Sequence, residues 1–224
     1  MSLQSRLGVC PPIEIFAKKS LRILRSKFHN LELILLLLLL LLLLSLSTMK
    51  NFSAFLRGVN VKGTNMKMAD VCKVFSDAGM NNVCSVLASG NILFQSDKDV
   101  VELKEILEKA MSAHFNYDAF LFIKNEKEID DIFANNPFAA IEDFHTYIFL
   151  GSDKVEETLL QEFDKATKEE GEKAKIVNNI FYWQVPKGQT LNSTFGKILG
   201  KKSLKDKMTS RNINTFEKVL KKFS

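Results

Sequence analysis

Three short segments carry residue types suited to holding an anion. The first is Arg57-Gly58-Val59-Asn60-Val61-Lys62-Gly63-Thr64-Asn65, the second is Ser89-Gly90-Asn91, and the third is Thr209-Ser210-Arg211-Asn212. The first two mix glycine, which lets backbone approach a ligand, with side chains that hydrogen-bond in any protonation state. From residue 49 onward the chain has twenty-three lysines but only two arginines, Arg57 and Arg211. Where lysine is the default cation, arginine is expected where a planar, permanently charged fork with several donors is needed. The segment around Arg211 reads as a helix N-terminus, whose free N–H groups favour an anion. The expected site is therefore Arg57, Asn60, Asn65, Ser89 and Asn91, with Arg211 and Asn212 added if the C-terminal segment reaches the same edge. Its ligand would be a small molecule bearing a phosphate or carboxylate. In the competing reading, Arg57 pairs with an internal carboxylate or with strand-end carbonyls while the asparagines support turns. Both readings stand on the sequence alone.

Other chemistries fit less well. Gly58 and Gly63 have the spacing of a phosphate-binding P-loop, but Thr64-Asn65 follow where Lys and then Ser or Thr are needed to reach phosphate and Mg²⁺. His114 and His145 lie outside the three segments, and Asp70 is the one acid near the first loop. No nucleophile is visibly paired with a base, so any catalysis would consist of electrostatic handling of an anionic substrate by Arg57 and the asparagines. Cys10, Cys72 and Cys84 are too few and too scattered for a disulfide framework, and no Cys/His spacing fits a metal site. Cys72 on a helical stripe and Cys84 in a strand read as small core residues, and a reducing cytoplasm suits them. No metal and no cofactor is expected.

The elements that must position these segments follow from periodicity. Asn51 to Arg57 reads as a strand, and Met68, Val71, Cys72, Phe75 and Ala78 recur at helical spacing up to a stop at Gly79. Asn82 to Ala88 and Asn91 to Ser96 read as strands joined by a tight hairpin at Ser89-Gly90. A helix on Val100, Leu103, Leu107, Ala110 and Met111, capped by Asp97 or Asp99, precedes a strand from Asp118 to Lys124. The order is β-α-β-β-α-β, the ferredoxin-like pattern of two split crossovers within an α+β fold. In that topology strands one and two run parallel with strand three between them, so the loop after strand one meets the Ser89-Gly90 turn. The second half repeats β-α-β-β: a short helix near Glu126 to Ala134, a strand from His145 to Leu150, a helix on Val155, Leu159, Phe163 and Ala166, and a hairpin turning at Asn178-Asn179. After a loop through Pro186-Lys187-Gly188, a last helix carries Ile213, Phe216, Val219, Leu220 and Phe223. The expected divisions are a leader over 1–48, a subdomain over 49–135 and a second over 136–224.

The leader differs from the rest in composition. A basic stretch over residues 18–27 precedes an unbroken apolar run from Leu33 to Leu44, the shape of a secretory signal and short of the roughly 20 residues that span a bilayer. Ten consecutive leucines, and Met49-Lys50 standing just before the first strand, favour instead an upstream extension with Met49 as the start. A cytoplasmic protein is then expected, exported or membrane-anchored only if the leader works. The net charge of +5 resides mostly in the leader. Within residues 49–224 charge is segregated: residues 97–172 hold twenty acids and eight lysines, residues 173–224 twelve bases and two acids. The run Lys197, Lys201, Lys202, Lys205 and Lys207 reads as a solvated face, or else as an anion or nucleic-acid patch.

From about Met49 to Phe223 the chain resembles the domain of unknown function 1697 family. The resemblance rests on the Arg-Gly-Val-Asn-Val loop at Arg57, the Ser-Gly-Asn turn at Ser89 and the Thr-x-Arg-Asn segment at Thr209, in that order. The chain departs from that pattern at Lys62, where glycine is usual, and at Ile213, where tryptophan is frequent. The resemblance implies a soluble, mostly bacterial, two-part α+β protein and carries no established activity or site residue. Besides an anion-binding module, two functions stay open. A structural or protein-interaction module would need no small ligand. A nucleic-acid-binding sheet would need Phe52, Phe55, Phe94, Phe120 and Phe122 to face solvent, whereas eighteen Phe against one Trp point to packing.

Overall fold

The computed structural model describes residues 32–42, 49–59, 66–152, 154–201, 204 and 207–223. The chain divides into two compact units, residues 1–48 and 49–224. In the first, residues 32–42 form a helix (α1) with exposed leucine side chains. Among the described residues no helix is long and apolar enough to cross a membrane.

The second unit contains β1 (Lys50–Leu56), α2 (Met68–Asp77), β2 (Asn81–Ser85), β3 (Asn91–Ser96), α3 (Val100–Phe115), β4 (Leu121–Asn125) and α4 (Glu126–Ala134). It continues with β5 (Phe144–Gly151), α5 (Val155–Lys165), β6 (Lys173–Val177), β7 (Ile180–Pro186), α6 (Thr194–Leu199), β8 (Met208–Asn212) and α7 (Ile213–Phe223). The fold is α+β, with two four-stranded antiparallel sheets ordered β2-β3-β1-β4 and β6-β7-β5-β8. In the first sheet β1 and β2 both run antiparallel to the β3 between them, which brings the end of β1 to the β2–β3 turn.

Both sheets are buried on both faces, so their central strands read as nearly continuous apolar runs. On β1, Phe52, Ala54 and Leu56 pack with α2 and α3 in one core. Phe55, one step out of phase, joins Leu93 and Phe122 on the opposite face. There they meet α4, α7 and the inner face of the second sheet through Ile129, Phe216, Ile148 and Tyr182. Phe55 and Phe216 stack across this middle core at 5.3 Å between ring centroids. The outer face of the second sheet is an aromatic cluster of Phe149, Phe181 and Trp183, covered by α5 and by Phe195 of α6. Of the five phenylalanines expected as core, Phe52, Phe55, Phe94 and Phe122 are buried, while Phe120, just before β4, is half-buried.

The second half repeats the register of the first across its three strands β5, β7 and β8. Ser53 lies between Leu93 and Lys124, and Ile148 lies between Tyr182 and Arg211. Asn125 and Asn212 each end a fourth strand and turn directly into a helix. Asn125 Oδ1 accepts from Glu128 N–H in a full capping box, and Asn212 Oδ1 accepts from Asn214 N–H.

Three expectations need correction. Thr209-Ser210-Arg211-Asn212 is most of edge strand β8, paired antiparallel with β5, and of the expected helix start only Asn212 serves, its side chain accepting from Asn214 N–H where α7 begins directly after the strand. The Ser89-Gly90 connection is not a two-residue hairpin. The pair closed by Val86 N–H on Asn91 C=O encloses four residues, with Leu87 and Gly90 at positive φ. Between the loop at Lys187 and the last helix the chain also forms α6 and β8, both missing from the sequence reading.

Candidate functional site

The three segments converge where the two sheets meet. Arg211 leaves β8 on the face toward the first sheet, with all five of its N–H donors engaged, Nε and Nη2 across the gap and Nη1 on its own strand. Nε donates to Asn91 Oδ1 at 2.6 Å. Nη1 donates to Thr209 Oγ1 at 2.7 Å and to Ser210 C=O at 2.8 Å. Nη2 donates to the carbonyls of Leu56 at 2.7 Å, Ser89 at 2.9 Å and Gly90 at 3.2 Å. The guanidinium lies 5.9 Å above the ring of Phe55. Arg57 reaches in the opposite direction, its Nη1 donating to the carbonyl of Met208 at the start of β8. Each arginine thus ties its own half of the molecule to the other.

The acceptors are held rigidly. Asn91 is fully buried, and its amide donates to Val86 C=O at 2.7 Å and Ser89 Oγ at 3.0 Å, which aims Oδ1 at Arg211. Leu56 N–H donates to Gly90 C=O at 2.8 Å, clamping the turn to the end of β1. Gly90 has φ +74°, and a Cβ there would stand 2.5 Å from Val59 Cγ2 and 3.0 Å from Leu56 Cβ. Glycine is needed at this position for close approach of the turn to the strand-one loop.

The electrostatics are one-sided. Among the described residues Arg211 has no ion-pair partner, and its six acceptors are all neutral. Burial first, and the like charge of Arg57 second, push its pKa down to about 10, so it stays charged at neutral pH.

Of the expected site residues, Arg57, Ser89, Asn91 and Arg211 come together. Asn212, next to Arg211 on a strand, points to the other face and lies 3.3 Å from His145 Nδ1, away from Arg57. Asn60 and Asn65 lie outside the described residues. What the sequence reading missed are the backbone acceptors, the carbonyls of Leu56, Ser89, Gly90 and Met208, because a carbonyl carries no residue-type signal. Of the two half-buried cysteines, Cys72 has its thiol pKa raised by burial, the opposite of a reactive thiolate. Among the described residues no group of His, Cys, Asp and Glu is placed to hold a metal ion.

Comparison with solved structures gives a fold match to the conserved bacterial protein SP0830 from Streptococcus pneumoniae. The two share 20% identity and a TM-score of 0.65 over 79% of this chain and 99% of the other. No curated protein matches the chain. The family profile of the protein of unknown function DUF1697 matches residues 49–182. That span runs from β1 into β7, takes in the Arg57 and Ser89-Gly90-Asn91 segments and exceeds half the chain, which therefore belongs to the DUF1697 family.

Proposed function

We propose that the edge formed by Arg57, Ser89, Asn91 and Arg211 binds a small anionic ligand bearing a phosphate or carboxylate. The observation that carries this reading is Arg211: a partly buried guanidinium, beside a second one, held only by neutral oxygens. Neutral acceptors satisfy its hydrogen bonds but not its charge, and a local positive potential in a low-dielectric setting draws an anion. With its donors engaged, Arg211 would act through its field and by fixing the turn. Contacts to the ligand would come from Arg57, from the Ser89 hydroxyl and from the loop that holds Asn60 and Asn65.

A second reading has its own support. Since every donor of Arg211 ends on protein, the three segments also suit a fastening between the halves of a structural or protein-interaction module. The experiment is a thermal-shift series on the full chain with phosphate, sugar phosphates, nucleotides, carboxylates and short oligonucleotides. A ligand at 100 times its Kd stabilises by about 2.7 kcal/mol, roughly 5 to 10 °C for a domain of this size. A shift of that size with one anion class, absent in Arg57→Ala, is the expected result. If no anion shifts the wild type and Arg57→Ala only lowers its melting point, the fastening reading stands alone. A shift with oligonucleotides only, weakened by salt, would favour nucleic acid.

A further inference from the structure

The repeated architecture provides two equivalent clefts, and they are filled differently. Lys124 stands on β4 where Arg211 stands on β8, since Ser53 pairs with Lys124 as Ile148 pairs with Arg211. By the same register Asn178-Asn179 takes the place of Ser89-Gly90, and Ile180 that of Asn91. In the first cleft Arg211 crosses from one sheet to the other and occupies the space beside the turn. In the second, Lys124 does not cross. Its ammonium turns back along its own half to Glu128, 2.7 Å away on the first turn of α4. The facing turn is also shorter, with two residues between Val177 and Ile180 in place of four. What remains is an open cleft of ≈ 420 Å³ lined by Lys124, Glu128, Asp131, Asn178, Ile180 and Tyr182.

We propose that this cleft binds the guanidinium group of a ligand, seated between α4 and the Asn178-Asn179 turn as Arg211 is seated in its counterpart. Acceptors outnumber donors there. Lys124 is already committed to Glu128, which leaves the charge of Asp131 uncompensated within the lining and excludes an anion. Asn178 and Asn179 both have positive φ and form the tight turn at the cleft's edge, at the register position where the Ser89 and Gly90 carbonyls accept from Arg211 in the first cleft. A planar fork of five donors matches carboxylates and turn carbonyls together, which a single ammonium does not. Ile180 gives the guanidinium plane an apolar floor, the role Phe55 plays under Arg211.

The test uses the full chain, titrated at constant ionic strength with L-arginine, methylguanidinium, an acetyl-Gly-Arg-Gly-amide peptide, L-lysine and L-citrulline, with backbone amide shifts followed by NMR. Saturable binding of the guanidinium compounds, centred on Asn178 and Asn179 and absent for the uncharged isostere citrulline, is expected. The peptide against free arginine then distinguishes a side chain from a free metabolite as the source of the group. Asp131→Asn, on an exposed rim position, weakens binding by about tenfold or more. Glu128→Gln is avoided because Glu128 also caps α4. Lys124→Arg carries the sharper outcome: its own guanidinium fills the cleft, abolishing binding while leaving the fold intact. The proposal is overturned if no guanidinium compound saturates at millimolar concentration, or if binding is the same in wild type, Asp131→Asn and Lys124→Arg.

Discussion

Replacing Arg211 by methionine keeps a long apolar stem and removes the fork, and the cost can be worked from its partners. Gly90 C=O retains Leu56 N–H, and Thr209 and Ser210 are its neighbours in sequence. The acceptors left to find new donors are Leu56 C=O, Ser89 C=O and Asn91 Oδ1. Ser89 is exposed and water can serve it, but Asn91 is fully buried and its amide is pinned by Val86 and Ser89. A buried acceptor left unmade costs about 1–3 kcal/mol. Adding the loosened contact between sheets, and subtracting the relief of a desolvated charge, gives about 2–4 kcal/mol in total. At about 2–4 °C per kcal/mol the melting point should fall by roughly 5 to 15 °C. Arg211→Lys keeps the charge without the fork and recovers less than half of this. The deficit is flat between pH 6 and 9. Burial lowers the folded-state pKa of Arg211 to about 10, below its unfolded value, so the folded state loses this proton first and the charge cost is relieved only as pH rises through about 10. Urea unfolding of the full chain, with calorimetry at both pH values, measures all of this. An Arg211→Met variant within about 1 °C of wild type, or an Arg211→Lys variant equal to it, would refute the claim that the fork fastens the halves.

Two further perturbations test neighbouring claims. Gly90→Ala forces a Cβ to 2.5 Å from Val59 and 3.0 Å from Leu56 at φ +74°, so a loss of about 2 kcal/mol or more is expected in denaturant titration. Tyr182→Phe and Tyr117→Phe should differ in sign. The Tyr182 hydroxyl donates to Ile132 C=O at 2.7 Å, one of the last carbonyls of α4, and its loss costs about 1 kcal/mol. The buried Tyr117 hydroxyl has no hydrogen-bond partner among the described residues, so its removal is neutral or stabilising. Burial raises both phenols to about 12, so their contribution is complete below the unfolded value near 10 and is lost as pH rises from there through about 12. Absorbance titration of the folded chain should show both tyrosines ionising about two pH units above a free phenol, near 12.

The β-α-β-β-α-β order and the β-α-β-β repeat were legible because their strands and helices are long and strongly periodic, and because Gly79 and the Asn178-Asn179 pair mark turns. β8 was not. Met208–Asn212 is Met-Thr-Ser-Arg-Asn, with two buried positions and three half-buried ones, and its polar residues resemble a helix start when read without a partner strand. The short α6 was hidden for a similar reason, since in six residues only Phe195 and Gly196 are buried. At the site, the scarcity of arginine singled out Arg57 and Arg211, and topology brought Ser89-Gly90-Asn91 to the end of β1. The donors' targets stayed invisible because they are mostly main-chain carbonyls, whose availability depends on which strand lies alongside. Asn212 was misassigned because the alternation that sends it away from Arg211 exists only if the segment is a strand.

A repeated topology whose two halves share one middle core needs polar fastenings as well as apolar contact, because stacked aromatics such as Phe55 and Phe216 tolerate sliding whereas hydrogen bonds fix register. The two halves meet this need at different points. Where Arg211 crosses to the first sheet, the inward position on β3 is Leu93, which has nothing to donate. Where Lys124 stays on its own half, the matching position on β7 is Tyr182, whose hydroxyl crosses to α4. Each cleft therefore carries a donor side chain that crosses between the halves, Arg211 beside Arg57 in one and the Tyr182 phenol in the other. Only the guanidinium fills the space around it. The phenol secures the helix end and leaves the cleft beside it open, so that half has both a fastening and room for a ligand. Combining Tyr182→Phe with Lys124→Arg tests this division of labour: a restored guanidinium should recover the stability that the phenol's loss removes and close the cleft in the same step.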